Sequence, residues 1–173
     1  VVSVNHRLNV LGYLDLSPFG EKYRDSANAG NLDLIAALEW IRDNIEGFGG
    51  DPENVTLFGQ SGGGVKVWSL LQMPEADGLF HKGIIESGVV DPDLLGDAED
   101  GNGREIVKAM LAELGLEEKD VDQLETLPYD QLAQAYENAA PKVAQKGEYV
   151  GNHPHKNQSY FGDAIKHGFR EET

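Results

Sequence analysis

Ten residues, Val55-Thr56-Leu57-Phe58-Gly59-Gln60-Ser61-Gly62-Gly63-Gly64, constrain this chain more than any other stretch. Apolar and β-branched residues come first, which is strand composition. An amphipathic segment, Val65 to Leu71, follows. Between them sits Gly-x-Ser-x-Gly, the pattern of a nucleophile elbow, in which a serine on a sharp strand-to-helix turn presents its hydroxyl above a sheet. Such a turn strains the backbone and leaves little room for side chains on either flank. Ser61 is therefore read as the candidate nucleophile, with Gly59 and Gly63 as the elbow's structural glycines. The amide of Gly62, at the start of the next helix, is placed to donate to a developing oxyanion. Gln60, beside the serine, supplies an amide where a carboxylate would add negative charge, so strong selection for a cationic substrate is not expected.

The pentapeptide alone is a weak signal, and its context strengthens it. Leu34, Leu38, Ile41 and Ile45 recur at spacings of 4, 3 and 4, with Ile35 and Trp40 widening the apolar face. A helix is expected from Asn31, capped by Asn28 or Asn31. It stops at Gly47-Phe48-Gly49-Gly50, and Asp51-Pro52 turns the chain into a strand over Val55 to Phe58, covered on both faces. The helix after the elbow is expected from Gly62 to about Met73, with Val65, Trp68, Leu70 and Leu71 against the core. Ile84-Ile85-Glu86-Ser87-Gly88 reads as another strand, and Val1 to Val4 as an earlier one buried on both faces. Strand, helix, strand, helix, strand predicts an α/β arrangement with right-handed crossovers.

Beyond Val89 the composition turns acidic. Residues 91–105 are read as a solvated loop, because their carboxylates lack the spacing of a calcium loop. Three helices are expected next. Ile106, Met110, Leu111 and Leu114 mark the first, Val121, Leu124 and Leu127 a short second capped by Asp120, and Leu132, Ala135 and Tyr136 a third opened by Pro128. The tail from Pro141 is read as polar and irregular, with a short helix around Phe161 to His167. The division expected is a partial α/β core over 1–90, an acidic loop and helical insert over 91–140, and a tail over 141–173.

Length and charge bound the rest. The 173 residues suffice for one domain or part of a larger one. Asp and Glu outnumber Lys and Arg by 30 to 14, a net charge of -16, which argues against a nucleic-acid or anionic-membrane partner. Cysteine is absent, which removes disulfides, thiolate nucleophiles and cysteine metal sites. No run reaches the roughly 18 apolar residues of a membrane-spanning helix. The chain opens in strand composition, with no initiator methionine or signal-peptide pattern, and closes at Thr173 without a packing element, so it reads as an internal fragment. Cytoplasmic and secreted locations both stay open, as does the oligomeric state.

Ser61 needs a base, and the base an orienting carboxylate; in the elbow's chain order both follow the serine. The histidines are His6, His81, His153, His155 and His167. His81, just before an interior strand, is read as structural, and His167 as a helix-end residue. His153 and His155 flank Pro154 and lack a third ligand, so no metal or cofactor is expected. Glu86 is the one carboxylate in an apolar strand and needs a partner if buried. Arg7 has the same character, and Asp33, Asp43 and Glu86 are its candidate partners.

Taken together, these residues resemble the type-B carboxylesterases, the α/β-hydrolase group that includes bacterial para-nitrobenzyl esterases and the cholinesterases. The likeness lies in Asn5-His6-Arg7-Leu8-Asn9-Val10-Leu11-Gly12, Gly30-Asn31-Leu32-Asp33, Ala36 through Ile45, Phe48-Gly49-Gly50-Asp51-Pro52, the elbow, Leu79-Phe80-His81-Lys82 and Glu86-Ser87-Gly88. Beyond Val89 it is general, with Leu124 to Ala135 similar to the helical region that walls the family's active-site gorge. The family usually has tyrosine at His6 and often glutamate at Gln60, and bacterial members vary at both. The resemblance implies an α/β-hydrolase fold, here a partial central sheet with a helical insert, in which Ser61 is catalytic and Gly62 is an oxyanion donor. It places further donors before Val1 and the catalytic glutamate and histidine after Thr173. The implied substrates are a small-molecule carboxylic ester and water, the activity belonging to a longer parent and not to this length alone, which is expected to fold poorly. Alternatives are a lipase-like hydrolase of long-chain acyl esters and a non-catalytic scaffold or adhesion protein of the same fold.

Overall fold

In a computed structural model, residues 1–88 and 102–155 are described, and they fall into two units: 1–7 with 29–88, and 8–28 with 102–155. The regular elements, in chain order, are α1 (Asn9–Tyr13), α2 (Ala29–Asn44), β1 (Thr56–Gln60), α3 (Gly62–Leu70), β2 (Lys82–Glu86), α4 (Arg104–Glu113) and α5 (Tyr129–Ala144), with short 3-10 turns between them. The acidic stretch from Val89 to Gly101 and the helix expected around Phe161 to His167 lie outside the described residues.

In the first unit the helical period of α2 does what its spacing predicts. Leu34, Ile35, Leu38 and Ile41 are buried together with Leu70, Met73, Ala76 and Leu79. Burying each such side chain contributes about 1.5–3 kcal/mol. Trp40 departs from the expectation: it is 49% exposed and leans on Phe48, ring centroids 5.8 Å apart. It sits off the face that Leu34, Leu38 and Ile41 define. Asn28 does not cap α2, because its amide donates to the His155 carbonyl (2.7 Å) and its side-chain oxygen accepts from the His155 amide (3.2 Å).

β1 and β2 pair in parallel, from Thr56 opposite Lys82 to Gln60 opposite Glu86, and α3 lies against both. Helix α3 ends at Leu70, short of the expected Met73, and Pro74 opens a 3-10 turn. Val67 and Leu70 bury its apolar side, while Val65, Trp68 and Leu71 are only partly buried. The strand expected at Val1 to Val4 is not formed among the described residues, and Val1, Val2 and Val4 are exposed. β-branched residues favour a pleated chain, but only a paired ladder makes a strand stable, and β1 has β2 as its one described partner. The expectation that β1 is covered on both faces fails for the same reason: Phe58 is 62% exposed and lines a cavity of about 1110 Å³ with Val2, Val4, Trp40, Lys66 and Leu70.

Arg7 and Asp33 form the pair that holds the amino-terminal segment to α2. The Arg7 guanidinium reaches both carboxylate oxygens (2.7 and 2.9 Å), and the Arg7 amide adds a third bond at 2.8 Å. Asp43 pairs with Arg42 instead, at 2.8 Å. Glu86, the other candidate, is exposed and makes no ion pair among the described residues. A solvated carboxylate on β2 needs no partner, and among the described residues Arg7 pairs with Asp33 and not with Glu86.

The second unit gathers Val10, Leu14, Leu16 and Tyr23 with Ile106, Val107, Met110, Leu111, Val121, Leu124, Leu132, Ala135, Ala139 and Val143. Residues 8–28 thus pack with the helical stretch, although their sequence neighbours lie in the first unit. The short middle helix is a 3-10 segment, Glu118–Glu125, opened by a capping box in which the Asp120 carboxylate accepts from the Glu117 amide at 3.1 Å. Helix α5 runs on to Ala144 with Pro141 inside it, so the irregular tail begins later than the sequence suggests. Among the described residues no helix is long and apolar enough to cross a membrane.

Two titrations follow from the first unit. The hydrogen-bonded Arg7 guanidinium holds the Asp33 carboxyl below its usual range. A depressed carboxyl contributes stability above its unfolded value, and that stability is lost as pH falls through the lower folded value. In the full-length protein Asp33→Asn is expected to cost about 0.5–1 kcal/mol near pH 7, given how exposed Arg7 is, with the difference from wild type shrinking in strong acid. Denaturant melts across pH measure this, and a difference independent of pH contradicts it. Burial beside the cavity pulls Lys66 from its ordinary 10.5 down to about 8. Between those values the unfolded chain binds the proton and the folded one does not, so stability rises with pH there. Lys66→Met is expected to remove that rise in the same melts.

Candidate active site

β1 delivers the chain to Ser61, and α3 begins at the next residue. Ser61 has φ 53° and ψ -117°, a left-handed backbone that costs a non-glycine residue roughly 1–3 kcal/mol. Two main-chain bonds hold it there. The Ser61 amide donates to the Glu86 carbonyl of β2 (2.8 Å), and the Val65 amide donates to the Ser61 carbonyl (3.0 Å), the first bond of α3. Ser61 is exposed, and its hydroxyl makes no hydrogen bond among the described residues. The amides of Gly62, Gly63 and Gly64 precede the first intrahelical bond, so α3 supplies them no acceptor. Gly62 faces open space: a Cβ built on it would meet nothing within 4 Å. The turn therefore places an exposed serine at the end of a strand, followed by an exposed glycine whose amide has no acceptor within α3. Gln60, the last residue of β1, is exposed opposite Glu86 and supplies no charge there.

The crowded glycines are legible in the sequence only in part. A Cβ on Gly59 would lie 2.3 Å from the Gly63 carbonyl carbon and 2.4 Å from its oxygen. A Cβ on Gly63 would meet nothing within 4 Å, which corrects its reading as a position that must lack a side chain. What is crowded at Gly63 is its main chain, pressed on Gly59. The requirement falls on Gly64, where a Cβ would lie 2.9 Å from the Gly88 Cα and 3.0 Å from the Gly59 oxygen. Gly88, just past β2, is tighter still, at 2.4 Å from the Gly64 Cα. Ser87, before it, has φ 53°, the same positive value as Ser61. The third consecutive glycine and a glycine ending the second apolar strand were the available signals.

The described histidines are all engaged elsewhere. His81 Nδ1 accepts from the Val55 amide (3.1 Å) and the His81 amide donates to the Val55 carbonyl (2.9 Å), fastening the start of β1 at the end opposite Ser61. His6 Nδ1 lies 3.0 Å from the Arg7 carbonyl. His153 and His155 belong to the second unit, where the Tyr149 ring stacks on His155 at 4.4 Å and meets His153 edge-on at 5.4 Å. His167 lies outside the described residues. No group of three or more His, Asp or Glu side chains among the described residues is placed to hold a metal ion.

The carboxylesterase family model matches residues 1–171. A para-nitrobenzyl esterase of Bacillus subtilis is 43% identical over 146 residues, covering 84% of this chain and 28% of its own length. The human cocaine esterase is 48% identical over 89 residues, 51% of this chain and 15% of its own. Among solved structures, an esterase of Clostridium hathewayi that hydrolyses aliphatic-aromatic polyesters superposes with a TM-score of 0.93 at 56% identity, over 98% of this chain and 34% of that one. A thermophilic para-nitrobenzyl esterase gives 0.73 at 36% identity, over 92% and 32%. The chain thus spans about a third or less of the relatives it matches, and its small parallel sheet with flanking helices is a partial α/β-hydrolase arrangement. With the elbow, the sheet register and these likenesses in agreement, the chain belongs to the type-B carboxylesterase family.

Proposed function

We propose that the full-length protein hydrolyses carboxylic esters through an acyl-enzyme on Ser61. One observation carries this reading: the left-handed Ser61, exposed at the end of β1, stands beside a Gly62 amide that precedes the first bond of α3. In the proposed first step the Ser61 oxygen attacks the ester carbonyl carbon as a general base takes its proton. The carbonyl π electrons move onto oxygen, and the Gly62 N–H donates to that oxyanion. The oxyanion collapses, the alcohol leaves with a proton from the same acid–base group, and water repeats the sequence to free the acid.

The base and its orienting carboxylate are assigned to parts of the protein outside the described residues, because the rings of His6, His81 and His153 bond elsewhere and that of His155 packs against Tyr149. The 173-residue chain, which spans about a third or less of its relatives' length, is proposed to be inactive alone. Losing a single oxyanion donor already costs on the order of 10²–10³ in turnover, and losing the base costs more. The Clostridium hathewayi relative acts on aliphatic-aromatic polyesters, so soluble aryl esters and aliphatic-aromatic oligoesters are the first substrates to try.

Ser61→Ala in the full-length protein is expected to lower kcat on an aryl ester by on the order of 10⁴-fold or more. An organophosphonate is expected to add one phosphonyl group, mapped to Ser61 by peptide mass. Substantial turnover by Ser61→Ala, or labelling of another residue, contradicts the proposal.

A further inference from the structure

We propose that Gly88 is a positioning residue for the reaction, one that sets where α3 begins and hence where the Gly62 amide stands relative to Ser61. This rests on the Ser61 reading above. The register that pairs Gln60 with Glu86 brings Ser61 and Ser87 next in line, both at φ 53°. The bond from the Ser61 amide to the Glu86 carbonyl ties the end of β2 directly to the candidate nucleophile. Two residues later Gly88 crosses the first turn of α3. A Cβ there would lie 2.4 Å from the Gly64 Cα, 2.5 Å from the Gly64 carbonyl carbon and 2.7 Å from the Val65 nitrogen.

All three of those atoms are main chain, so no side chain can swing aside. Ordinary contact begins near 3.4 Å, and an added methyl must push α3 and the end of β2 apart by about 1 Å. The displaced turn carries both the Gly62 amide and the Val65 bond to Ser61. The push is therefore delivered at the turn that carries the Ser61 hydroxyl and the Gly62 amide, and it is expected to act on the chemical step. Misplacement by about 1 Å costs on the order of 10²-fold in rate.

The test is Gly88→Ala in the full-length protein, with rates expressed per site that the organophosphonate can titrate, so that partial unfolding does not imitate the effect. Expected are a drop of about 10²-fold in kcat and in the phosphonylation rate, with KM within about threefold of wild type. Gly47→Ala, whose Cβ meets nothing within 4 Å, serves as the control and is expected to match wild type. Rates within about twofold of wild type in Gly88→Ala overturn the proposal. Should that variant not fold, Gly64→Ala carries a milder overlap of 2.9 Å with the Gly88 Cα and is expected to lose rate in the same direction; an unchanged rate there overturns it equally. A structure of the wild-type protein with Gly64 and Gly88 out of contact overturns it without any variant. Ser61→Ala separates the two readings: if it stays active both fall, and if it is dead while Gly88→Ala is normal only the positioning role falls.

Discussion

Main-chain contact with no Cβ between is the constraint on which the elbow depends. β1, β2 and the first turn of α3 converge at Gly59, Gly64 and Gly88, each placed so that a methyl group would overlap backbone atoms of the next. The approach lets two main-chain hydrogen bonds grip Ser61 from both sides. At about 0.5–1.5 kcal/mol each, those bonds are comparable to the cost of the left-handed serine. The remaining restraint comes from further along α3, where Val67 and Leu70 are buried and keep the helix from retreating. Strain at the serine is thus held by packing that begins about two turns away.

The second unit is built on a different balance. Its apolar cluster joins α4, α5, the 3-10 segment and residues 8–28. Around it lie ion pairs such as Lys22 with Asp122 and Glu125, Arg104 with Glu118, and Lys142 with Glu113. These are exposed, and pairs of that kind contribute little to stability. Two buried polar anchors do more for specificity. The Asp15 carboxylate accepts from the Ser17 and Gly103 amides, both at 2.9 Å, and the Tyr149 hydroxyl lies 2.6 Å from the Tyr13 carbonyl. Among the described acidic residues only Asp15 is buried.

Where function is concerned, the sequence was most legible at short range. Val55 to Gly64 announced strand, turn and helix because each segment's composition suits its backbone, and the period of Leu34, Leu38 and Ile41 announced α2. Arg7 called for a carboxylate, and one of its three candidates, Asp33, supplies it. Long-range facts were not legible. Nothing local says that Gly88 rests on Gly64, 24 residues away, or that residues 8–28 pack with helices a hundred residues downstream. Val1 to Val4 failed for a related reason: strand composition is necessary for a strand, but pairing decides. Trp40 is apolar and well spaced, yet among the described residues its face of the helix stays half exposed.

In the proposed reaction the Gly62 amide and the Ser61 hydroxyl act on one reacting group. The most direct measurement is a crystal structure of the full-length protein after reaction with an organophosphonate. Expected is phosphorus bonded to the Ser61 oxygen, with a phosphonyl oxygen roughly 2.7–3.1 Å from the Gly62 nitrogen. A phosphonyl oxygen turned away from Gly62, or an adduct on another residue, contradicts it.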